Sequence, residues 1–159
     1  MLERRRLIGG HEVISDPATS RRLARFGHEA TQPERLVRRL LSERGHRFRI
    51  RNRDLPGSPD IANRSQLWAI FVHGCYWHHH VGCARATIPY RNRAFWLGKF
   101  RDNRRRDRRV VLELERQGFV VGVLWECEVI QPSVLRARLS KFGRYLAKRG
   151  LTISASRKR

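Results

Sequence analysis

Acidic residues are scarce in this sequence: 14 Asp and Glu stand against 35 Lys and Arg, a formal net charge of +21. So many like charges repel one another in a compact chain unless a polyanion relieves them, which makes nucleic acid the leading partner. Arginine supplies most of the excess, and its planar fork suits bidentate phosphate contacts. An arginine-rich proteome is the plain alternative source of part of that charge. Cysteine is sparse as well. Cys75, Cys83 and Cys127 are an odd number, which argues against a disulfide framework and for metal ligation. No run of about 18 apolar residues occurs, and the N-terminal MLERRRLIGGHEV lacks the apolar segment of a secretory signal. No membrane contact and a cytoplasmic location are therefore expected. No internal repeat is visible. What remains, 159 residues of which 40% are hydrophobic, is enough for one domain with a real core.

Residues 1–30 carry arginines and glycines without a sustained apolar period and read as a basic, extended or partly helical arm that binds DNA. TQPERLVRRLLSERG then opens a helix. Thr31 and Glu34 have the spacing of a capping box, Leu36, Val37, Leu40 and Leu41 form a buried stripe, and Gly45 ends it. HRFRIR alternates as a half-exposed strand with Phe48 and Ile50 on one face. After the turn DLPGSPD, Ile61 and Ala62 begin a second strand and LWAIFV forms a third. A long helix runs from a cap at Asn92 to Gly118, with Phe95, Trp96, Phe100, Val110, Val111 and Leu114 inward and Arg101 to Arg109 as a basic surface. FVVGVLWEC is a further buried strand, and a last helix covers about Pro132 to Arg149. The order α-β-β-β-α-β-α predicts a mixed sheet flanked by helices, with the folded unit over 31–150 and a basic tail over 151–159.

The chemistry concentrates in FVHGCYWHHHVGC, residues 71–83. A structural zinc takes thiolates and imidazoles in a closed tetrahedron. Cys75, His80, Cys83 and Cys127 would supply one, with the last ligand arriving from a distant strand; spacing alone does not choose His80 over His78 or His79. Buried cysteines also serve as small hydrophobes, a fair reading for Cys127 alone and a poor one for Cys75 and Cys83 in a polar loop. Neutral imidazoles suit proton transfer near neutral pH, which makes His73 and His78 candidates, while His79 reads as a solvated loop residue. Asp60, where the LPGSPD turn meets a strand, could hold Mg²⁺ against a scissile phosphate. Taken alone, an Asp there is more often a turn residue.

The stretches TQPERL, LPGSPDI, IFVHGCYWHHHVGC, FW, RDRR and VLWEC, in this order over about residues 20 to 128, resemble the very-short-patch-repair (Vsr) mismatch endonucleases, a branch of the PD-(D/E)XK nuclease fold. The resemblance implies an α/β, restriction-endonuclease-like sheet with a structural zinc site. It also implies a Mg²⁺-dependent enzyme that nicks one strand of duplex DNA 5′ to the T of a T·G mismatch left by deaminated 5-methylcytosine. Its expected partners are that DNA, a cytosine methyltransferase by functional link, and a mismatch-repair mediator protein; the chain is expected to act as a monomer.

By position in that pattern, Asp60 is the metal-binding aspartate and the Val72 carbonyl a second ligand. His73 falls where many such nucleases carry lysine, His78 gives or takes the proton, and Glu34 supports the site through a histidine or the metal's water. Cys75, His80, Cys83 and Cys127 match the zinc set. Tyr76 and Trp77 match the aromatics that the family inserts beside the mismatch, where unstacking costs least. Buried core is the competing fate of these rings. Four departures stand out: Leu23 takes the place of an arm methionine, Ala30 that of an aspartate and Val72 that of a threonine, and one residue is extra between His80 and Cys83. The runner-up readings are a strand-nicking or restriction-like enzyme of the same fold with another site preference, and a non-catalytic zinc-stabilised DNA-binding module. The cutting mechanism requires Asp60 and the imidazoles of His73 and His78 to share one space with room for a phosphate.

Overall fold

A computed structural model describes residues 30–151 in full and, before them, the backbone of two strands, β1 (Arg4–Ile8) and β2 (His11–Ser15). These pair antiparallel, so this part of the expected arm is a hairpin. Leu23 and the remainder of the arm lie outside the described residues, as does the tail beyond Leu151.

Helix α1 (Gln32–Glu43) starts where its cap is encoded. Thr31 Oγ1 accepts the Glu34 N–H at 3.4 Å and donates to Glu34 Oε1 at 2.9 Å, so the carboxylate meets the hydroxyl of the cap and not its backbone N–H. Val37 and Leu41 are fully buried with Leu36 and Leu40 beside them. Gly45, at φ 75°, turns the chain out of the helix.

Three strands, β3 (Ile61–Asn63), β4 (Trp68–His73) and β5 (Val120–Trp125), form a mixed sheet in the order β3-β4-β5. β3 runs antiparallel to β4, and β5 runs parallel to it with His73 opposite Trp125. β4 reads as a continuous apolar run because both of its faces are covered. Trp68 and Ile70 join the cluster holding Val37 and Leu41 of α1 and Leu135, Leu139 and Leu146 of α4 (Pro132–Lys148). Ala69 and Phe71 pack with Leu55 and with Leu114 of α2 (Arg93–Arg116). The protein is therefore a mixed α/β fold with α1 and α4 on one face of the sheet and α2 on the other. β2 lies against α2, and a one-turn helix, α3 (Glu126–Val129), carries Cys127.

Two expectations need correction. HRFRIR is not a strand: it holds isolated bridge residues at His46 and Arg49, the latter opposite Ala62, and Ile50 is 43% exposed. Arg51 enters the left-handed region at φ 57° and turns the chain away before a ladder extends. Asn92 precedes α2 at φ 58° and its side chain makes no capping hydrogen bond, so the helix starts from a left-handed turn. No helix among the described residues is long and apolar enough to cross a membrane.

Candidate active site

The LPGSPD turn is a rigid bracket for Asp60. Leu55 anchors it in the core, and the fully buried Asn52 donates from Nδ2 to the carbonyls of Arg49 and Pro59, each at 3.0 Å, tying its two ends together. Gly57 presses the turn onto α2. Its φ is 67°, and a Cβ there would come within 2.3 Å of Val110 Cγ1, so only glycine fits both the conformation and the space. Asp60 follows at the head of β3, where its Oδ2 accepts the Val72 N–H across the sheet at 2.7 Å. The N–H and C=O of a strand residue leave on the same side, so the Val72 carbonyl projects towards the same edge as Asp60.

Burial pushes the Asp60 carboxyl up to about 6, with the Glu34 charge adding to the rise and the Val72 N–H and Arg38 opposing it. A carboxylate held this unfavourably is relieved by a cation. Asp60, Val72, His73 and His78 line one open pocket of about 410 Å³, together with Arg106 and Asp107 of α2. Asp60 and the imidazoles of His73 and His78 therefore border one open space.

His73 closes β4 and is 8% exposed, while His78 belongs to the loop beyond it. Their rings stack in parallel, 3.8 Å between centroids and 8° between planes. Burial, followed by the neighbouring His78 charge, lowers the His73 imidazole to about 4, against a smaller raising effect of Asp107. His78 Nδ1 bonds Asp107 Oδ2 at 2.5 Å. Burial alone would raise the Asp107 carboxyl, but the hydrogen bond and charge of His78 outweigh it and hold the group below the ordinary carboxylate range. His73, His78 and Asp107 also form a set with ligand atoms near one another. Parallel imidazoles, however, point their in-plane lone pairs side by side and not at a common ion, so an Asp-oriented histidine pair is the better description. Asp107 is the residue that the sequence reading missed, folded into a run taken as basic surface.

Glu34 lies on the far side of Asp60. Its carboxylate accepts from Thr31 Oγ1 and, at 3.0 Å, from Arg38 Nη2. It reaches the site as a charge that raises Asp60.

The thiol and imidazole set assembles as the spacing allowed, and the fold makes the choice among the histidines. His80 Nδ1 stands 3.7 Å from Cys75 Sγ and 3.4 Å from Cys127 Sγ, and the donor atoms of Cys75, His80, Cys83 and Cys127 all lie within 4.8 Å of one another. A tetrahedral ion with bonds of about 2.0–2.3 Å needs donor separations of roughly 3.5 Å, so the residues fit a metal. Burial pushes the Cys75 thiol up to about 12 and raises Cys127 too, a balance that a cation reverses because a coordinating thiol is deprotonated outright. Gly82, directly before Cys83, holds φ 75°. Trp125 lies flat on His80, 4.1 Å between centroids, and meets His73 edge-on at 5.4 Å, so one ring touches both groups of histidines.

Tyr76 and Trp77 are half-buried and sit against the first turns of α2. Tyr76 meets Trp96 and Phe100 at 5.6 and 5.5 Å, and the Trp77 carbonyl accepts from Asn103 at 2.8 Å. His79, expected in solvent, stacks on Phe100 at 4.8 Å and takes φ 47°.

Comparison with known proteins follows this geometry. The sequence model described as DNA mismatch endonuclease Vsr matches residues 13–85, from β2 through the thiol loop. The Type II nicking enzyme V.XorIIP of Xanthomonas oryzae pv. oryzae is 44% identical over 109 residues, which are 69% of this chain and 79% of that protein. The Type II nicking enzyme V.NmeAIP of Neisseria meningitidis is 40% identical over 72% of this chain and 81% of its own length. The DNA mismatch endonuclease Vsr of Escherichia coli K12 is 36% identical over 72% of this chain and 73% of its own length. At that identity and coverage, the chain belongs to the Vsr family and is a DNA endonuclease.

Proposed function

We propose that the chain nicks one strand of duplex DNA 5′ to the T of a T·G mismatch, in Mg²⁺-dependent very-short-patch repair of deaminated 5-methylcytosine. The observation that carries this reading is the convergence of Asp60, the Val72 edge and the Asp107-oriented His78 on one pocket. Mg²⁺, held by Asp60 and the Val72 carbonyl, would supply charge for the phosphate and a lower pKa for the attacking water. Asp107 accepts from His78 Nδ1, which leaves Nε2 as the basic atom to take a proton and later return it to the leaving oxygen. His73, kept neutral by burial, hydrogen-bonds a phosphate oxygen without adding a second positive charge beside His78. Water oxygen bonds to phosphorus as the P–O bond to one side of the nick breaks.

Zn²⁺ on Cys75, His80, Cys83 and Cys127 would stiffen the loop from which Tyr76 and Trp77 press on the mismatched pair. The antiparallel β3–β4 hairpin bearing Asp60, followed by a helix and a parallel strand, supports a restriction-endonuclease-like catalytic unit over 31–150. Residues 1–30 are the DNA-binding arm, with Leu23 as an apolar wedge, and 151–159 a basic tail. The chain works as a cytoplasmic monomer, functionally linked to a cytosine methyltransferase and to a mismatch-repair mediator. The relatives named nicking enzymes favour single-strand cleavage, and they keep alive a nickase with a different site preference.

Matched oligonucleotide duplexes that differ only in T·G or C·G at one position decide between these readings. With Mg²⁺, nicking is expected on the T·G duplex alone, and Asp60→Ala is expected to bind it without cutting. Equal nicking of the paired duplex would replace the mismatch reading, and an active Asp60→Ala protein would remove Asp60 from the chemistry.

A further inference from the structure

Asp60 is the wall between two cavities. On the side away from His73 and His78 lies a second open pocket of about 380 Å³, lined by Glu34 and Arg38 of α1, by Arg51 and Arg53, and by Ser58 and Asp60. The two pockets share Ser58 and Asp60.

The loop that presents Arg51 and Arg53 is built with care. Asn52 between them is fully buried and hydrogen-bonded at both ends of the turn, so its two neighbours are forced outward. Arg51 and Ser58, on opposite lips of the pocket, both hold left-handed backbone, φ 57° and 51°, without being glycine. Non-glycine residues keep such conformations where the surrounding structure over-determines them, and these cluster at ligand sites. The arginines also lack carboxylate partners among the described residues. Asp54, the acid nearest in sequence, is taken by Arg64 at 2.6 Å and lies 3.9 Å from Arg49. Of the two acids that line the pocket, Glu34 is neutralised by Arg38 and Asp60 turns one oxygen to the Val72 N–H. Two unpaired guanidiniums on a clamped loop, beside a site that handles a phosphodiester, form a receptor for a second one.

We propose that this pocket is the subsite for the phosphodiester adjoining the scissile one on the nicked strand, held by Arg51 and Arg53, so that the strand crosses Asp60 from one pocket into the other. The inference rests on the nicking reading above and assigns a path to its substrate.

The test couples protein to phosphate. Methylphosphonates, which remove one phosphate charge each, are placed singly at positions flanking the nick in a T·G duplex. Affinity is measured by fluorescence anisotropy without Mg²⁺, for the wild type and for Arg51→Gly/Arg53→Gln. The variant is expected to bind about tenfold less tightly, through lost charge-assisted hydrogen bonds. Its salt dependence should be shallower by about two phosphate contacts. One methylphosphonate, next to the scissile position, should weaken the wild type and leave the variant nearly unaffected, while the other positions weaken both alike. Arg51→Gly alone is the folding control: glycine relieves the left-handed backbone, so its Tm should hold or rise while affinity falls. Effects that multiply at every position, or a variant that binds as the wild type does, would overturn the subsite. Nicking with Mg²⁺ is scored separately: a wild type inactive on the mismatch sinks the parent reading, whereas additive binding effects sink this one alone.

Discussion

Two carboxylates, Asp102 and Asp107, stand among the arginines in the middle of α2, and Asp107 shows how little of a site a local charge count reveals. Arg104, Arg105, Arg106, Arg108 and Arg109 surround it in sequence and make the segment read as a solvated basic face. Helical spacing tells otherwise: Asp107 lies four residues after Asn103, which bonds the Trp77 carbonyl, and three before Val110, which packs on the Gly57 turn. That phase, with a lone acid at the inward position, was the available signal. Asp60, His73 and His78 were legible because their stretches are dense in chemistry. The choice of His80 came from the family pattern and not from spacing, because three consecutive histidines differ only in where the loop aims them. Asn at position 107 keeps an acceptor for His78 Nδ1 but removes the charge that steadies a protonated ring. Asp107→Asn is therefore expected to lower kcat by about 10- to 100-fold, below the full worth of a general base, with KM near the wild-type value. Single-turnover nicking on a pre-bound duplex checks it, and an unchanged rate would show that His78 needs no orientation from α2.

At the level of elements, the sheet and the three long helices follow from pattern, while the turn between α1 and β3 does not. Continuous apolar runs announce β4 and β5, and α1 and α4 carry apolar residues at helical spacing. HRFRIR alternates like a strand, yet a left-handed Arg51 and the buried Asn52 commit the chain to a bracket that serves Asp60. Backbone demand of this kind has no period to read. The contact of Gly57 with Val110 ties the Asp60 turn to α2, so the helix that bonds His78 also seats that turn. Gly57→Ala must adopt φ 67° with a side chain and push Val110 aside, a cost of about 1–3 kcal/mol. The expected result is a lower Tm together with a higher Mg²⁺ concentration for half-maximal nicking, as Asp60 drifts from the Val72 edge. A variant with wild-type melting and Mg²⁺ response would mean that the turn holds its place without α2.

Across the whole molecule, a net charge of +21 supplies the attraction for DNA, but it also works against compactness, so something must hold the functional loop to the sheet. Packing does part of this through the aromatic cluster on α2. With a metal bound, the thiol set would do the rest, joining Cys75 just beyond β4 to Cys127 on α3 across 52 residues of chain. A cross-link closing a loop of that size stabilises by up to about 4 kcal/mol in the chain-entropy picture. Trp125, flat on His80 and edge-on to His73, places the proposed zinc one ring away from the His73–His78 pair. Stripping the purified protein with a thiol-competing chelator, then restoring Mg²⁺ alone, should lower Tm by about 10 °C for a domain of this size. It should also change the tryptophan fluorescence, and one equivalent of Zn²⁺ should restore both. Trp125→Phe should mute the fluorescence change while retaining the Tm response, because the cross-link survives and the reporting ring does not. If the stripped protein melts as before, the four side chains are a reduced cluster that packing holds together, and the stiffness of the Tyr76–Trp77 loop must come from α2.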